Sequence, residues 1–239
     1  MRQHLPTPLG AVLFDMDGLL VDSEPLWHRA EIAVFARYGL HLTPELCRLT
    51  KGKFVVEVTT FWYQRHPWSG ASPEEVATEI VDEVAALVRT TSTLLPGVHH
   101  ALEFCRDRVP LLGLASSSPM RLIDEVLDRF GLRSYFDVVH SAEAEAAGKP
   151  DPAVFLTAAA LLGVPPGRCV VLEDSPAGVG AALAAGMQCI AVPERRAGVP
   201  ELVGPPEVPV LASLRELGPE VWALVESRVA SASANADHD

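Results

Sequence analysis

Short apolar runs recur along the chain, and segments with helical periodicity separate them. The runs are continuous rather than alternating, which is typical of strands that are covered on both faces of a sheet. Because strands alternate with helices over short connections, the pattern predicts an α/β fold with a doubly wound parallel sheet. The predicted strands are residues 11–14, 111–115, 138–139, 169–172 and 189–192.

Three helices are predicted between the later strands, at residues 120–130, 153–162 and 177–185. Each is followed by a glycine, the residue that is favoured at the C-terminal cap of a helix. These glycines are Gly131, Gly163 and Gly186. The helix ends therefore agree with the strand pattern.

The interval between the first two predicted strands breaks this alternation. It spans about ninety residues, far more than one crossover helix needs. Residues 22–93 have a helical pattern, clearest in 26–38 and 73–88, and predict an inserted α-helical cap domain; an unusually decorated crossover is the alternative. Residues 1–21 and 94–228 then form the α/β core. The small, polar residues of 229–239 predict a disordered tail.

Composition narrows the range of partners. The formal net charge of −12 argues against nucleic acid, since phosphate backbones are bound by clustered lysines and arginines. No apolar run approaches the roughly 18 residues of a membrane span, and the first residues lack the pattern of a signal peptide. Four cysteines without CxxC spacing indicate free thiols in a reduced compartment. We expect a cytoplasmic monomer with neither a nucleic-acid nor a membrane partner.

Polar residues with chemical potential collect where the predicted strands end. In an open parallel sheet, ligands bind beyond the carboxyl ends of the strands. The strand ends and the connection after the third strand supply acids, hydroxyls and one cation. In chain order these residues are Asp15, Asp17, Ser116, Ser117, Ser118, Lys149, Glu173 and Asp174.

The acids of this set predict a metal site. Asp15 and Asp17 project to the same side if the extended backbone continues past the strand. Two unit charges about 4 Å apart repel by roughly 4 kcal/mol at an effective dielectric constant near 20, so several carboxylates cannot stay ionised together without a cation. Oxygen ligands without histidine or cysteine favour Mg²⁺.

The serine run and Lys149 predict an anion site. A helix that begins just after the serines offers free N–H groups and the positive end of its dipole, which suits a phosphate group. Each signal alone has an ordinary explanation: the serines could cap the helix, with Pro119 in its first turn, and Lys149 could be a solvated charge. Together at one sheet edge, these residues favour a site for a small phosphorylated metabolite.

The same residues resemble the motifs of the haloacid dehalogenase superfamily, in the subgroup with a helical cap after the first strand. The motifs occur in the family's order, and the resemblance covers nearly the whole chain. The matching strings are Asp15-Met-Asp-Gly18, Ser116 within residues 114–119, Lys149 before Pro150, and Glu173-Asp174 within residues 172–178.

This resemblance implies a Mg²⁺-dependent phosphatase that works through an aspartyl-phosphate intermediate. Asp15 would attack phosphorus, and Asp17 would exchange protons with the leaving group and with water. The implied phosphate ligands are Ser116, Ser117 and Lys149, and the implied metal ligands are Asp15, Asp17 through its carbonyl oxygen, and Asp174. Whether Glu173 also binds the metal, directly or through water, stays open.

The cap implies the substrate class. Its strings at residues 22–31 and 61–68 resemble those of sugar phosphatases of the superfamily, which implies hexose or hexitol phosphates as substrates. Trp27, Trp62 and Trp68 are candidate faces for the sugar, with packing inside the cap as the alternative.

Two other functions stay open. The β-phosphoglucomutase branch of the superfamily has a histidine ten positions after the second aspartate, where this chain has Trp27. It also has a cap arginine where this chain has Lys53, Phe54 and Val55, so hydrolysis is favoured over mutase activity. A Schiff-base role for Lys51 or Lys53 is disfavoured. A catalytically silent metabolite-binding protein is the last alternative, and the presence of every motif residue argues against it.

Overall fold

The structure is a computed structural model that describes residues 8–50, 52–193 and 205–236, with side chains as far as residue 231. Its centre is one five-stranded sheet in the order β3-β2-β1-β4-β5, and every pair is parallel. This confirms the predicted doubly wound sheet. The strands are β1 (Ala11–Phe14), β2 (Leu111–Ser116), β3 (Val138–Ser141), β4 (Cys169–Glu173) and β5 (Gln188–Ala191).

The α-helices agree with the predicted ones to within a turn. The predicted C-terminal glycines Gly131, Gly163 and Gly186 all have φ near +70°, a left-handed conformation that favours glycine. The helices are α1 (Glu24–Arg37), α2 (Pro44–Cys47), α3 (Val55–Arg65), α4 (Pro73–Thr91), α5 (Val98–Arg106), α6 (Met120–Phe130), α7 (Ala153–Leu162), α8 (Pro176–Ala184) and α9 (Pro219–Ala236).

Both faces of the sheet are buried, and alternate residues of each strand serve opposite faces. On β1, Val12 and Phe14 face the cluster that includes buried residues of α5, α6 and α9. Ala11 and Leu13 face the cluster with α7 and α8. The continuous apolar runs in the sequence follow from this double coverage.

The insertion between β1 and β2 is helical throughout its regular elements, α1 to α4. Helix α4 packs against α1 and α3 within the insertion and against α6 of the core. Ion pairs from Arg89 to Glu125 and from Arg121 to Asp82 reinforce that last contact. The insertion is therefore docked on the α/β core along α4.

The structure corrects the prediction of a disordered tail at residues 229–239. Helix α9 continues to Ala236, so residues 229–236 are helical, and residues 237–239 lie outside the described part of the chain. Val225 and Val229, one turn apart on this helix, are both buried. Their burial anchors a stretch whose alanines favour a helix and whose small polar composition alone predicted disorder.

Within the described residues, no helix combines the length and the apolar character needed to cross a membrane.

Candidate active site

The register of the sheet brings the predicted site residues to one level. Phe14 at the end of β1 pairs with Leu114 of β2 and Leu172 of β4. The following residues, Asp15 and Glu173, therefore leave adjacent strands side by side. The Asp15 N–H donates to the Leu172 carbonyl at 3.1 Å, which extends the pairing of β1 and β4 by one bond. Because β1 is the central strand, this edge lies at the topological switch point of the sheet.

Lys149 joins the two acids. Its Nζ donates to Asp15 Oδ1 at 2.5 Å, to Glu173 Oε1 at 2.6 Å and to the Ala115 carbonyl at 3.3 Å. The carboxylates are 5% and 1% exposed, so the ion pairs are almost completely enclosed. The Lys149 ammonium is thus buried and paired with acids at the strand ends, which excludes the alternative that it is a solvated surface charge.

Burial and charge act in opposite directions on these groups. Burial raises the pKa of Asp15, Glu173 and Asp17 add to that rise, and Lys149 opposes it. Burial would lower the pKa of Lys149, yet the two carboxylates outweigh it and raise the pKa. The ammonium therefore stays charged, and Asp15 is poorly stabilised as a carboxylate by the protein alone. A further cation at this site would stabilise the ionised Asp15.

The side chain of Glu173 is held by hydrogen bonds from the turn that directly follows it. Its Oε2 accepts from the Ser175 N–H at 2.9 Å and from the Ser175 hydroxyl at 3.0 Å. The same hydroxyl accepts from the Gly178 N–H and so caps α8. Gly178 lies so close to the Glu173 carboxylate that a Cβ at this position would overlap it. Helix α8 can thus approach Glu173 closely because Gly178 has no side chain.

Replacing Gly178 by alanine is therefore expected to destabilise the protein. The Glu173 carboxylate cannot move aside without leaving Lys149, and overpacking of this kind costs about 1–3 kcal/mol. Gly180 on the same helix is the matched control, because its Cβ would make only an ordinary contact with Pro150. Gly180→Ala is expected to be neutral or stabilising by up to about 1 kcal/mol. Urea unfolding of both variants checks this, and equal stabilities would contradict it.

The acidic side chains fit a divalent metal ion. Asp15, Glu173 and Asp174 each offer one carboxylate oxygen, and these atoms lie within 4.8 Å of one another. The Asp174 carboxylate lies against Gly18, the residue after Asp17, where a Cβ would overlap it. The side chain of Asp174 thus lies beside Gly18, directly after Asp17 in the chain. An all-oxygen donor set of this kind suits Mg²⁺.

Asp17 lies in a different hydrogen-bond network. Its Oδ2 accepts from the Ser118 hydroxyl at 2.7 Å and from the Ser116 hydroxyl at 3.4 Å. The Trp27 indole Nε1 donates to Asp17 Oδ1 at 3.4 Å. The Ser118 N–H donates to Ser116 Oγ, which ties the two serines together. The side chain of Asp17 is therefore held by donors from the end of β2, from the turn that follows it and from α1.

These contacts correct the simple capping interpretation of the serine run. The N-cap residue of α6, Pro119, makes no side-chain cap hydrogen bond, and the Met120 N–H at the start of the helix donates to Oε2 of Glu143 rather than to a serine of the run. Ser117, a predicted phosphate ligand, is half-buried in the turn after Ser116. Ser118 was among the polar residues at the strand ends, but the sequence assigned it no role of its own, and its contact with Asp17 is seen only in the structure.

The insertion meets the core beside Lys149. The Phe54 ring, just before α3, lies against Gly148, with the ring about 3 Å from where a Cβ would stand. Trp62 and Trp68 are buried in the insertion, and Trp68 packs on Phe35, Tyr38 and Tyr63. These two tryptophans are packing residues, whereas Trp27 reaches Asp17. Lys53 is exposed, and Lys51 lies outside the described residues.

Comparison with known proteins supports the resemblance inferred from the motifs. A profile of the haloacid dehalogenase-like hydrolases matches residues 9–186. Hexitol phosphatase B of Escherichia coli K12 is 45% identical over 193 residues, 79% of this chain and 85% of that enzyme. A phosphorylated carbohydrates phosphatase of Thermotoga maritima is 37% identical over 180 residues, 75% of this chain and 83% of that enzyme.

A solved structure extends the likeness to the fold. A variant of CbbY from Rhodobacter sphaeroides, in complex with xylulose-(1,5)bisphosphate, aligns with a TM-score of 0.80 and 27% identity. The alignment covers 91% of this chain and 99% of that one. The superposition therefore includes the insertion as well as the α/β core.

The chain belongs to the haloacid dehalogenase-like hydrolase family. The resemblance inferred from the motifs is thereby confirmed, and the names of the two relatives agree with the predicted enzyme class, a phosphoric monoester hydrolase. The cap strings at residues 22–31 and 61–68 also predicted a particular likeness to hexitol phosphatase B, and the 45% identity confirms it.

Proposed function

We propose that the protein is a Mg²⁺-dependent phosphatase of small sugar phosphates, with Asp15 as its nucleophile. One observation carries this proposal: Lys149 bridges Asp15 and Glu173 at the switch point of the sheet, with Asp174 beside them. A buried carboxylate held between a cation and further acids suits attack on an anionic phosphoryl group. The other predicted residues surround it.

In the first step, an Asp15 carboxylate oxygen attacks phosphorus and the bond to the ester oxygen breaks, which leaves an aspartyl-phosphate. Lys149 keeps the carboxylate oriented through its 2.5 Å hydrogen bond. Lys149, Ser116 and the N–H of Ser117 bind the phosphoryl oxygens and offset the charge that they carry.

Asp17 acts as the general acid and then as the general base. Its carboxyl gives a proton to the departing alkoxide and later takes one from the water that attacks the aspartyl-phosphate. That attack breaks the bond between phosphorus and the Asp15 oxygen, which releases inorganic phosphate and regenerates the Asp15 carboxylate. The hydroxyls of Ser118 and Ser116 and the indole N–H of Trp27 fix where its oxygens point. This network therefore keeps Asp17 oriented through both half-reactions.

Asp15, Asp174 and the carbonyl oxygen of Asp17 would hold Mg²⁺, and Glu173 lies within reach of the same point. Bound there, the ion supplies positive charge next to the transferring phosphoryl group. The pKa of Asp15, raised by burial, supports this need for a cation.

The core and the inserted cap have separate roles in the proposed reaction. Residues 1–21 and 94–228 form the catalytic core, and residues 22–93 form a cap that excludes bulk water and contacts the leaving group. Phe54 on Gly148 and Trp27 on Asp17 support this arrangement. The names of the two phosphatase relatives support hexitol or hexose phosphates as substrates. A cytoplasmic monomer without a nucleic-acid partner stays a prediction.

Phosphate release from a panel of esters tests the proposal. The panel contains hexitol phosphates, hexose 6-phosphates, 2-deoxyglucose 6-phosphate, glycerol phosphate, β-glucose 1-phosphate and nucleotides, each with Mg²⁺ and with EDTA. We expect release that is strongest on hexitol or hexose phosphates and that EDTA abolishes. Release that persists in EDTA would contradict the metal requirement. Isomerisation of β-glucose 1-phosphate without phosphate release would instead identify a mutase.

A further inference from the structure

A buried carboxyl group in the cap has one oxygen atom without a hydrogen-bond partner among the described residues. Glu31 on α1 is 8% exposed, and the Cys47 thiol contacts its carboxyl group. Among the residues that the structure describes, Glu31 Oε2 has no hydrogen-bond partner although it is fully enclosed. Burial raises the pKa of this carboxyl to about 7, while Cys47 and His28 oppose the rise. An enclosed acceptor without a donor costs about 1–3 kcal/mol, so its presence needs a structural or functional explanation.

The position of Glu31 indicates where a ligand would lie. Residues 24, 27, 28 and 31 are three or four positions apart and share one face of α1. Trp27 on this face donates to Asp17, so the face is turned towards the reacting centre. Glu31 lies one turn further along the helix, a rise of about 5.4 Å. Near the start of the same face, His28 and Glu24 form an ion pair at 3.3 Å.

The leaving group of the proposed reaction would extend from Asp17 along this face of α1. Asp17 protonates the ester oxygen, so the carbon chain of the alcohol begins beside Asp17 and Trp27. A chain of six carbons is long enough to carry hydroxyl groups past the next helical turn. A hydroxyl group is a hydrogen-bond donor, which is what the free Oε2 of Glu31 lacks.

We propose that Glu31 Oε2 accepts a hydrogen bond from a hydroxyl of the leaving group remote from the phosphate, and that this contact selects polyol and sugar phosphates. This inference rests on the proposed function and deepens it. Glu31 acts only on binding of the alcohol portion, since its side chain is a helical turn away from Trp27 and Asp17. Esters without distal hydroxyls gain nothing from it.

The test compares two substrates in three variants. Glu31→Met keeps the length of the side chain and removes the acceptor, Glu31→Gln keeps an uncharged acceptor, and Cys47→Ala removes only the thiol contact. The substrates are a hexitol phosphate and p-nitrophenyl phosphate, whose leaving group has no distal hydroxyl. For Glu31→Met we expect kcat/KM on the hexitol phosphate to fall about tenfold to a hundredfold, the value of one hydrogen bond to a charged group.

On p-nitrophenyl phosphate, kcat/KM of Glu31→Met is expected to stay unchanged. Glu31→Gln should lie between the wild type and Glu31→Met, and Cys47→Ala should keep the wild-type ratio of the two substrates. Thermal unfolding adds a readout that separates function from folding. A ligand-binding Glu31 predicts an unchanged or higher Tm in Glu31→Met, because an unpartnered buried carboxylate is removed.

Two outcomes overturn the inference alone: an unchanged ratio of the two substrates, or an equal loss on both with a lowered Tm, which would make Glu31 structural. If the wild-type protein releases phosphate from neither substrate, the proposed function fails, and this inference fails with it.

Discussion

Replacing Asp15 by asparagine is expected to abolish phosphate release from every substrate while the protein stays folded. Asparagine has nearly the same shape but lacks the anionic oxygen that attacks phosphorus in the proposed mechanism. Loss of a nucleophile of this kind lowers kcat by about 10⁴-fold or more. Asparagine also keeps the side-chain carbonyl that can accept from Lys149, and Lys149 retains Glu173 as its ionic partner. The expected change in stability is therefore small.

The control for this variant is Asp128→Asn on the exposed surface of α6, which removes the same charge far from the strand ends. It should keep full activity. Phosphate release is the readout, and circular dichroism with thermal unfolding verifies the fold. Mass spectrometry adds a direct check, because a trapped phosphoryl group should map to Asp15 in the wild type and vanish in the variant. Normal release by Asp15→Asn would overturn the mechanism.

The core of the site was predictable because a parallel sheet places its strand ends at one edge. Asp15 and Glu173 follow from that rule, since the apolar runs define the strands and these acids stand where two of the runs end, whereas Lys149 lies in the connection after the third strand. The register then needs no further information to bring Asp15 and Glu173 side by side. The same periodicity located helices α1, α4, α6, α7 and α8.

Contacts that depend on turns and on docking could not be predicted. The hydrogen bond from Trp27 to Asp17 requires the chain to turn back after Gly18, and no periodicity describes that turn. The bond from Ser118 to Asp17 depends on the bend after β2, where a helix cap was an equally good expectation. The burial of Glu31 Oε2 without a hydrogen-bond partner among the described residues is visible only when α1 and α2 pack together.

Composition misled at the C-terminal end. The serines and alanines after residue 228 predict disorder by content, but Val229 continues the buried face of α9 that Trp222 and Val225 begin. A periodic signal of three buried residues outweighs the local composition, since tertiary packing supplies most of the stability of a helix.

Replacing Lys149 by methionine is expected to lower the free energy of unfolding by about 3–5 kcal/mol, the usual effect of removing one partner from a buried ion pair. Methionine keeps much of the length and the apolar stem of lysine, so the lost charge dominates. Asp15 and Glu173 would then face each other as buried acids without the ammonium that joins them. Lys53→Met is the matched control, because Lys53 is exposed in the cap. Equal unfolding free energies of the two variants in urea would contradict the assigned role of the bridge.

Magnesium separates the two roles of Lys149 in the same variant. An ion bound among Asp15, Glu173 and Asp174 offsets their repulsion, so Mg²⁺ should stabilise Lys149→Met more than the wild type. Turnover should stay low even at saturating Mg²⁺, because the ion restores the charge but not the hydrogen bonds to phosphoryl oxygens that we propose for the ammonium. If Mg²⁺ restored both stability and turnover, Lys149 would serve only as the counter-ion of the carboxylates. If it restored neither, the three acids would not form the metal site.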